Sequence, residues 1–244
     1  MTPEKKARLR ALIALPQEHS DWEFTSVLIS RPLYFMLLHL IGDVGFITPN
    51  LVTVLGFFCF LGASALIAFA PSHLVGIAVL LFARLILDDL DGMLARYRGR
   101  GSNLGSYLDK ITDVIGFFAF FSALGYRSML LTGTLAYMWV AHIATFGLLT
   151  TGYVKWVVHS FAKPETPAAP KTNPFPRSPW WKVFPVLLFI KLPALNECDI
   201  FPLSMILILL GKPHWLLMVL ALTQALQMTA MVVIRGLTAR RLDR

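Results

Sequence analysis

Residues 88–113 read DDLDGMLARYRGRGSNLGSYLDKITD, and the carboxylates in this stretch decide how the rest of the chain is read. On a helix of about 3.6 residues per turn, Asp88 and Asp91 share one face, as do Asp109 and Asp113. Two facing helices then present four carboxylates to one point. The surroundings make that arrangement expensive, because 56% of the chain is hydrophobic and only 15% charged. A carboxylate near the middle of a bilayer costs about 2.5–3.5 kcal/mol on insertion scales, so four together call for a neutralising partner. A divalent metal ion is the obvious candidate.

Composition places the chain in a membrane. A mean hydropathy of +0.65 over 244 residues is too apolar for a soluble domain. The net charge of +8 raises nucleic acid as a partner, but the basic residues sit beside apolar spans and read as membrane anchors and topology signals. No nucleic-acid partner is therefore expected. No basic stretch followed by a short apolar run and a cleavage site opens the chain, so no removable signal peptide is expected. Cys59 and Cys198 form no CxxC and read as ordinary thiols.

The expected fold is all-α and polytopic, with six transmembrane helices preceded by an interfacial N-terminal helix. Pro32–Ile41 is too short to cross about 30 Å of hydrocarbon and is read as interfacial. The six spans are placed at 49–70, 73–96, 105–126, 130–152, 194–211 and 214–235, joined by short connections near 71, 128 and 212. Only Arg127 and Lys212 are basic in those connections, whereas Arg98, Arg100, the 155–191 stretch and the Arg240, Arg241 and Arg244 tail lie on the other side. The positive-inside rule then puts both termini and the Asp-rich connection in the cytoplasm. As domains, this gives a tail and interfacial helix (1–42), a transmembrane domain (43–238) with a cytoplasmic Pro-rich loop (154–182), and a basic tail (239–244). Residues 181–192, WKVFPVLLFIKL, read as an interfacial or re-entrant piece.

Depth offers an independent check. At about 1.5 Å per residue, Asp88 lies about 22 Å from the outer end of the second span, roughly 8 Å below the cytoplasmic boundary. Asp109 and Asp113 lie about 6 and 12 Å deep on the third. Beyond them Val114, Ile115, Phe117, Phe118 and Phe120 are expected to seal the site from the far side.

The full spacing is Asp88, two residues, Asp91-Gly92, two residues, Ala95-Arg96, eight residues, Gly105, three residues, Asp109, three residues, Asp113. It resembles the signature of the CDP-alcohol phosphotransferase family at all eight defined positions. The resemblance implies a transferase of substituted phosphate groups in phospholipid biosynthesis, moving such a group from a CDP-linked donor to an alcohol acceptor within the lipid bilayer and releasing CMP. By the same resemblance Asp88, Asp91 and Asp109 bind metal, and Asp113 is the general base and a further metal contact. Hard carboxylate ligands suit Mg²⁺ or Mn²⁺, and four can hold two ions. The nucleotide is expected against Gly92, Ala95 and Gly105, with Arg96 and Ser102 reaching its polar groups and Thr48, Pro49, Asn50 and Leu51 lining the pocket. Helix capping alone would also explain Thr48 and Asn50, and membrane anchoring would explain Arg96. The family commonly pairs, which implies a homodimer.

Arg84 and His142 are intramembrane ionisable residues and stand equally as functional groups or structural partners. Asp89 points about 100° away from Asp88, and Lys110 is expected to pair with Asp89 or reach the surface. Glu197 and Asp199, with Asn196 beside them, resemble a charged stretch at the start of the family's fifth span, but without its Arg. LDKITD lacks the LDPxADK pattern associated with glycerophosphate acceptors. CDP-diacylglycerol with a small polar alcohol ranks first as the substrate pair, a CDP-linked polar alcohol second. Two rivals remain: an intramembrane prenyltransferase, at which Asp88-Asp89 hints although the fifth position is Gly92, and an ion or proton transporter using the aspartates.

Overall fold

The computed structural model describes residues 5, 31–99, 101–161, 195 and 197–242, and for Arg31, Glu197 and Cys198 the backbone alone. Among the described residues there are seven helices and no strands: α1 (Arg31–Ile41), α2 (Pro49–Phe69), α3 (Leu74–Tyr97), α4 (Asn103–Thr132), α5 (Ala136–Phe161), α6 (Glu197–Leu209) and α7 (Pro213–Leu242). Of these, α2, α4 and α7 are long and apolar enough to cross a membrane. The second predicted span, α3, has the length but carries Arg84, Asp88, Asp89, Asp91 and Arg96. Large apolar side chains such as Phe58, Val75, Phe118 and Trp139 are exposed along these helices, as lipid-facing surfaces require.

Local chemistry sets most helix ends. Thr48 caps α2, its hydroxyl accepting from the Leu51 amide at 3.2 Å, and Pro49 supplies the preset first turn. Ser102 does the same for α4, accepting from the Gly105 amide at 3.0 Å. One predicted connection moves. The turn expected near 128 lies instead after Thr132, where Gly133 has a φ of +71° and returns its amide to the Met129 carbonyl. Arg127 therefore belongs to α4 and not to a loop. Gly125 looks like a turn residue but serves close packing, since a Cβ there would lie 2.7 Å from that of Ala141.

Two other boundaries differ. Helix α5 continues to Phe161, so residues 154–161 are helical where a Pro-rich loop is predicted, and α7 carries the basic residues Arg240 and Arg241 within its last turn. The apolar content that ends near 152 and 235 underestimates both helices, because a helix leaving hydrocarbon keeps its backbone hydrogen bonds and changes only its side chains. The remainder of the loop and the 181–192 piece lie outside the described residues.

The chain divides into two compact units, Met1–Phe120 and Phe121–Arg244. In the first, α2 packs along α3, and α1 packs on the C-terminal part of α3. Tyr34 and Leu38 of α1 meet Val52 of α2 and Leu90, Met93, Leu94 and Tyr97 of α3 in a buried cluster. Arg98 locks this corner: its guanidinium donates to the carbonyls of Gly42, Ile47 and Val44 at 2.7–2.8 Å and of Ile41 at 3.3 Å. A single planar fork thus ties together carbonyls of the turn that follows α1, two of which, Ile41 and Val44, also accept from the Val44 and Ile47 amides. In the second unit α5 packs along α7, and α6 packs on α7.

Candidate metal centre

The site lies within the first unit and is built by α3 and the first half of α4. The one-face spacing brings Asp88 of α3 together with Asp109 and Asp113 of α4, each offering a carboxylate oxygen within 4.8 Å of the others. Three hard oxygen donors at that separation fit a divalent ion of the Mg²⁺ or Mn²⁺ kind. Asp91 stands outside this trio. It is 8% exposed, and the hydroxyl of Thr53 on α2 donates to its carboxylate at 2.5 Å.

A protein cation already reaches the cluster. Arg84, one turn before Asp88, contacts Asp88 Oδ1 through Nη2 at 2.8 Å, and the same nitrogen donates to Asp113 Oδ1 across to α4. Arg84 is only 1% exposed. Its guanidinium carbon sits 5.8 Å from the Phe60 ring centroid, a cation–π arrangement. Lys110 meets Asp109 at 2.9 Å from an exposed position, where its flexible stem reaches the open rim.

The far wall is narrower than the sequence suggests. Phe117 and Phe120 turn inward and pack on Phe60, with ring centroids 5.2 and 5.3 Å apart. Val114, Ile115 and Phe118 occupy the outer face of α4 and are exposed, as helical periodicity requires once Asp113 and Phe117 point in.

The expected nucleotide residues fall around the start of α2, the end of α3 and the start of α4. Asn50 Oδ1 faces the bare backbone of Gly105, where a Cβ would come within 3.1 Å, and Ser102 Oγ lies equally close. Arg96 is exposed and folds back over Gly92, its Nη2 3.0 Å from Met93 Sδ. Leu51 is exposed and Ala95 half-buried at the same end. Capping accounts for Thr48 and Ser102 locally. Asn50 is different, since its side chain reaches across to α4.

His142 is exposed, and its Nδ1 lies 2.6 Å from the Met138 carbonyl one turn back in its own helix. Asp199 is half-buried in α6, while Asn196 and the side chains of Glu197 and Cys198 lie outside the described residues. Thr53 is not among the residues that the sequence singles out for the site. The available signal was its place one turn after Pro49, which puts a hydroxyl among apolar neighbours.

The sequence profile described as CDP-alcohol phosphatidyltransferase matches residues 46–234. A "Bifunctional IPC transferase and DIPP synthase" of Aquifex aeolicus (strain VF5) is 40% identical over 107 residues, 43% of this chain and 23% of that protein. A "Phosphatidylinositol phosphate synthase" of Mycobacteroides abscessus is 41% identical over 98 residues, 39% of this chain and 41% of that protein. The chain thus spans less than half the length of each of these relatives.

Proposed function

The chain belongs to the CDP-alcohol phosphatidyltransferase family, and from that premise we propose that it is an integral membrane enzyme transferring a substituted phosphate from a CDP-linked donor to an alcohol, with release of CMP. The observation that carries the reading is the convergence of Asp88, Asp109 and Asp113 from two helices onto one point. Arg84 and Lys110 balance two of these three charges, which leaves a net negative site for a further cation.

Asp88, Asp109 and Asp113 would hold a divalent ion, and Asp91 would complete the set for a second. Bound there, such ions supply positive charge to the donor's diphosphate and to the phosphoryl group in transfer. Asp113 accepts the proton of the acceptor hydroxyl. As that proton leaves, the alcohol oxygen forms a bond to the donor phosphorus that carries the diacylglycerol group, the bond from this phosphorus to the bridging oxygen breaks, and CMP departs with the electron pair. Glycines at 92 and 105 let the cytidine nucleotide approach the backbone, while Arg96, Ser102 and the Thr48–Leu51 turn meet its polar groups. Helices α2 to α7 form six spans, with both termini and the site on the cytoplasmic side. The protein pairs as a homodimer.

CDP-diacylglycerol is the preferred donor. For the acceptor, a small polar alcohol is proposed, with an inositol phosphate first in order because one relative is named for making phosphatidylinositol phosphate. The test is incubation of purified protein with radiolabelled CDP-diacylglycerol, Mg²⁺ or Mn²⁺ and a panel of alcohols, reading CMP and the lipid product. Asp113→Asn is expected to abolish turnover while CDP-diacylglycerol still binds. Normal turnover in that variant refutes the base assignment. Pyrophosphate release from a prenyl diphosphate, or ion flux through proteoliposomes without substrate, would favour the rivals.

A further inference from the structure

Arg84 is not an isolated ion-pair partner. Its slot is built on two helices: Gly56 of α2 leaves room for the guanidinium, since a Cβ there would lie 3.2 Å from Nη1, and Phe60 supplies the ring beside it. The buried Nε and Nη1 have no hydrogen-bond partner among the described residues, so the guanidinium spends its bonding on two carboxylates through Nη2. A buried arginine so poorly satisfied is costly unless a concentrated negative charge holds it. Asp88 and Asp113 are two of the three carboxylates that the divalent ion would use.

We infer that Arg84 is the built-in counter-cation of the carboxylate cluster, holding α3 to α4 when no metal is bound and competing with the divalent ion for Asp88 and Asp113. This rests on the reading of the cluster as a metal site. Arg84 is a positioning residue, acting through the two carboxylates. Its charge lowers the affinity of the site for a second cation, because a positive group in contact with the ligands repels the ion at low effective dielectric. In exchange, the crowded carboxylates stay together before loading.

Mn²⁺ alone is the probe, titrated into the purified full chain in detergent and followed by the electron paramagnetic resonance signal of free Mn²⁺. Thermal unfolding is recorded in parallel, in EDTA and in saturating Mn²⁺. For Arg84→Gln the expected result is Mn²⁺ binding tighter by about tenfold or more, a lower Tm than wild type in EDTA, and a difference that closes in Mn²⁺. Arg84→Lys keeps the charge and is expected to stay within about threefold of wild-type affinity. Equal destabilisation of Arg84→Gln in both conditions, with unchanged or weaker Mn²⁺ binding, would make Arg84 a plain strut and overturn the inference. Failure of that variant to fold even in Mn²⁺, or matching behaviour of the lysine variant, would overturn it as well. A wild-type protein that binds no Mn²⁺ instead refutes the metal reading itself.

Discussion

The hydroxyl of Thr53 on α2 donates to the carboxylate of Asp91 on α3, joining residues that are 38 positions apart. Asp91 is buried. Removing the donor leaves an acidic oxygen without its partner in a poorly solvated place, at a cost of about 1–3 kcal/mol. Thr53→Val, which keeps the shape, is therefore expected to lower Tm and to lower turnover by releasing Asp91 from the orientation that the hydroxyl holds. Thr53→Ser is expected to recover most of both. Wild-type Tm and turnover in Thr53→Val would show that the bond orients nothing.

The Arg98 corner makes a different prediction. One guanidinium serves four backbone carbonyls between Ile41 and Ile47, and a lysine ammonium offers three donors from a single point and cannot reproduce the fork. Both Arg98→Ala and Arg98→Lys are expected to destabilise the protein by about 1–3 kcal/mol and to speed proteolysis of the 42–47 connection. Wild-type resistance in the lysine variant would mean that charge, not geometry, holds the corner.

Gly116 of α4 meets Phe60 so closely that a Cβ would lie 2.5 Å from the ring. Phe60 is 1% exposed and held by Phe117 and Phe120, so the ring has little room to withdraw. Gly116→Ala is expected to cost about 1–3 kcal/mol through overpacking. It should also disturb Arg84, which rests on that ring. Phe60→Leu in the Gly116→Ala background should recover part of the loss, read as a non-additive double-mutant cycle in Tm.

These contacts mark what could be read from the chain and what could not. The shared face of Asp109 and Asp113 follows from their i, i+4 spacing, which is a local property, whereas the i, i+3 spacing of Asp88 and Asp91 does not bring Asp91 into the trio. The pairing of Arg84 with Asp113 and of Thr53 with Asp91 depends on which face of one helix meets another, and no local pattern encodes it. The displaced turn at Gly133 has the same origin. Gly125, Arg127 and Ser128 resemble a break, yet the small residue there serves the close approach of α4 to α5, and only the facing Ala141 reveals it. The outward placement of Val114, Ile115 and Phe118 was available from periodicity alone, once the apolar run after Asp113 is read by face and not as a block.

Two glycines on packed helices of the second unit should respond oppositely to the same substitution. At Gly147 of α5 a Cβ would lie 2.8 Å from the backbone carbon and oxygen of Gln224 on α7. Backbone within a helix cannot step aside without displacing its neighbours, so Gly147→Ala is expected to destabilise by at least about 1–3 kcal/mol. The Gln224 side chain, which donates to the Leu195 carbonyl at 3.0 Å, would be dragged with it. At Gly236 of α7 nothing lies within 4 Å of the added carbon. There the higher helix propensity of alanine acts alone, and Gly236→Ala is expected to raise stability by about 0.5–1 kcal/mol. Tm of the two variants in one detergent checks the pair. A drop for Gly236→Ala would mean that a second copy of the chain covers this face, and no change for Gly147→Ala would mean that α5 and α7 stand further apart than described.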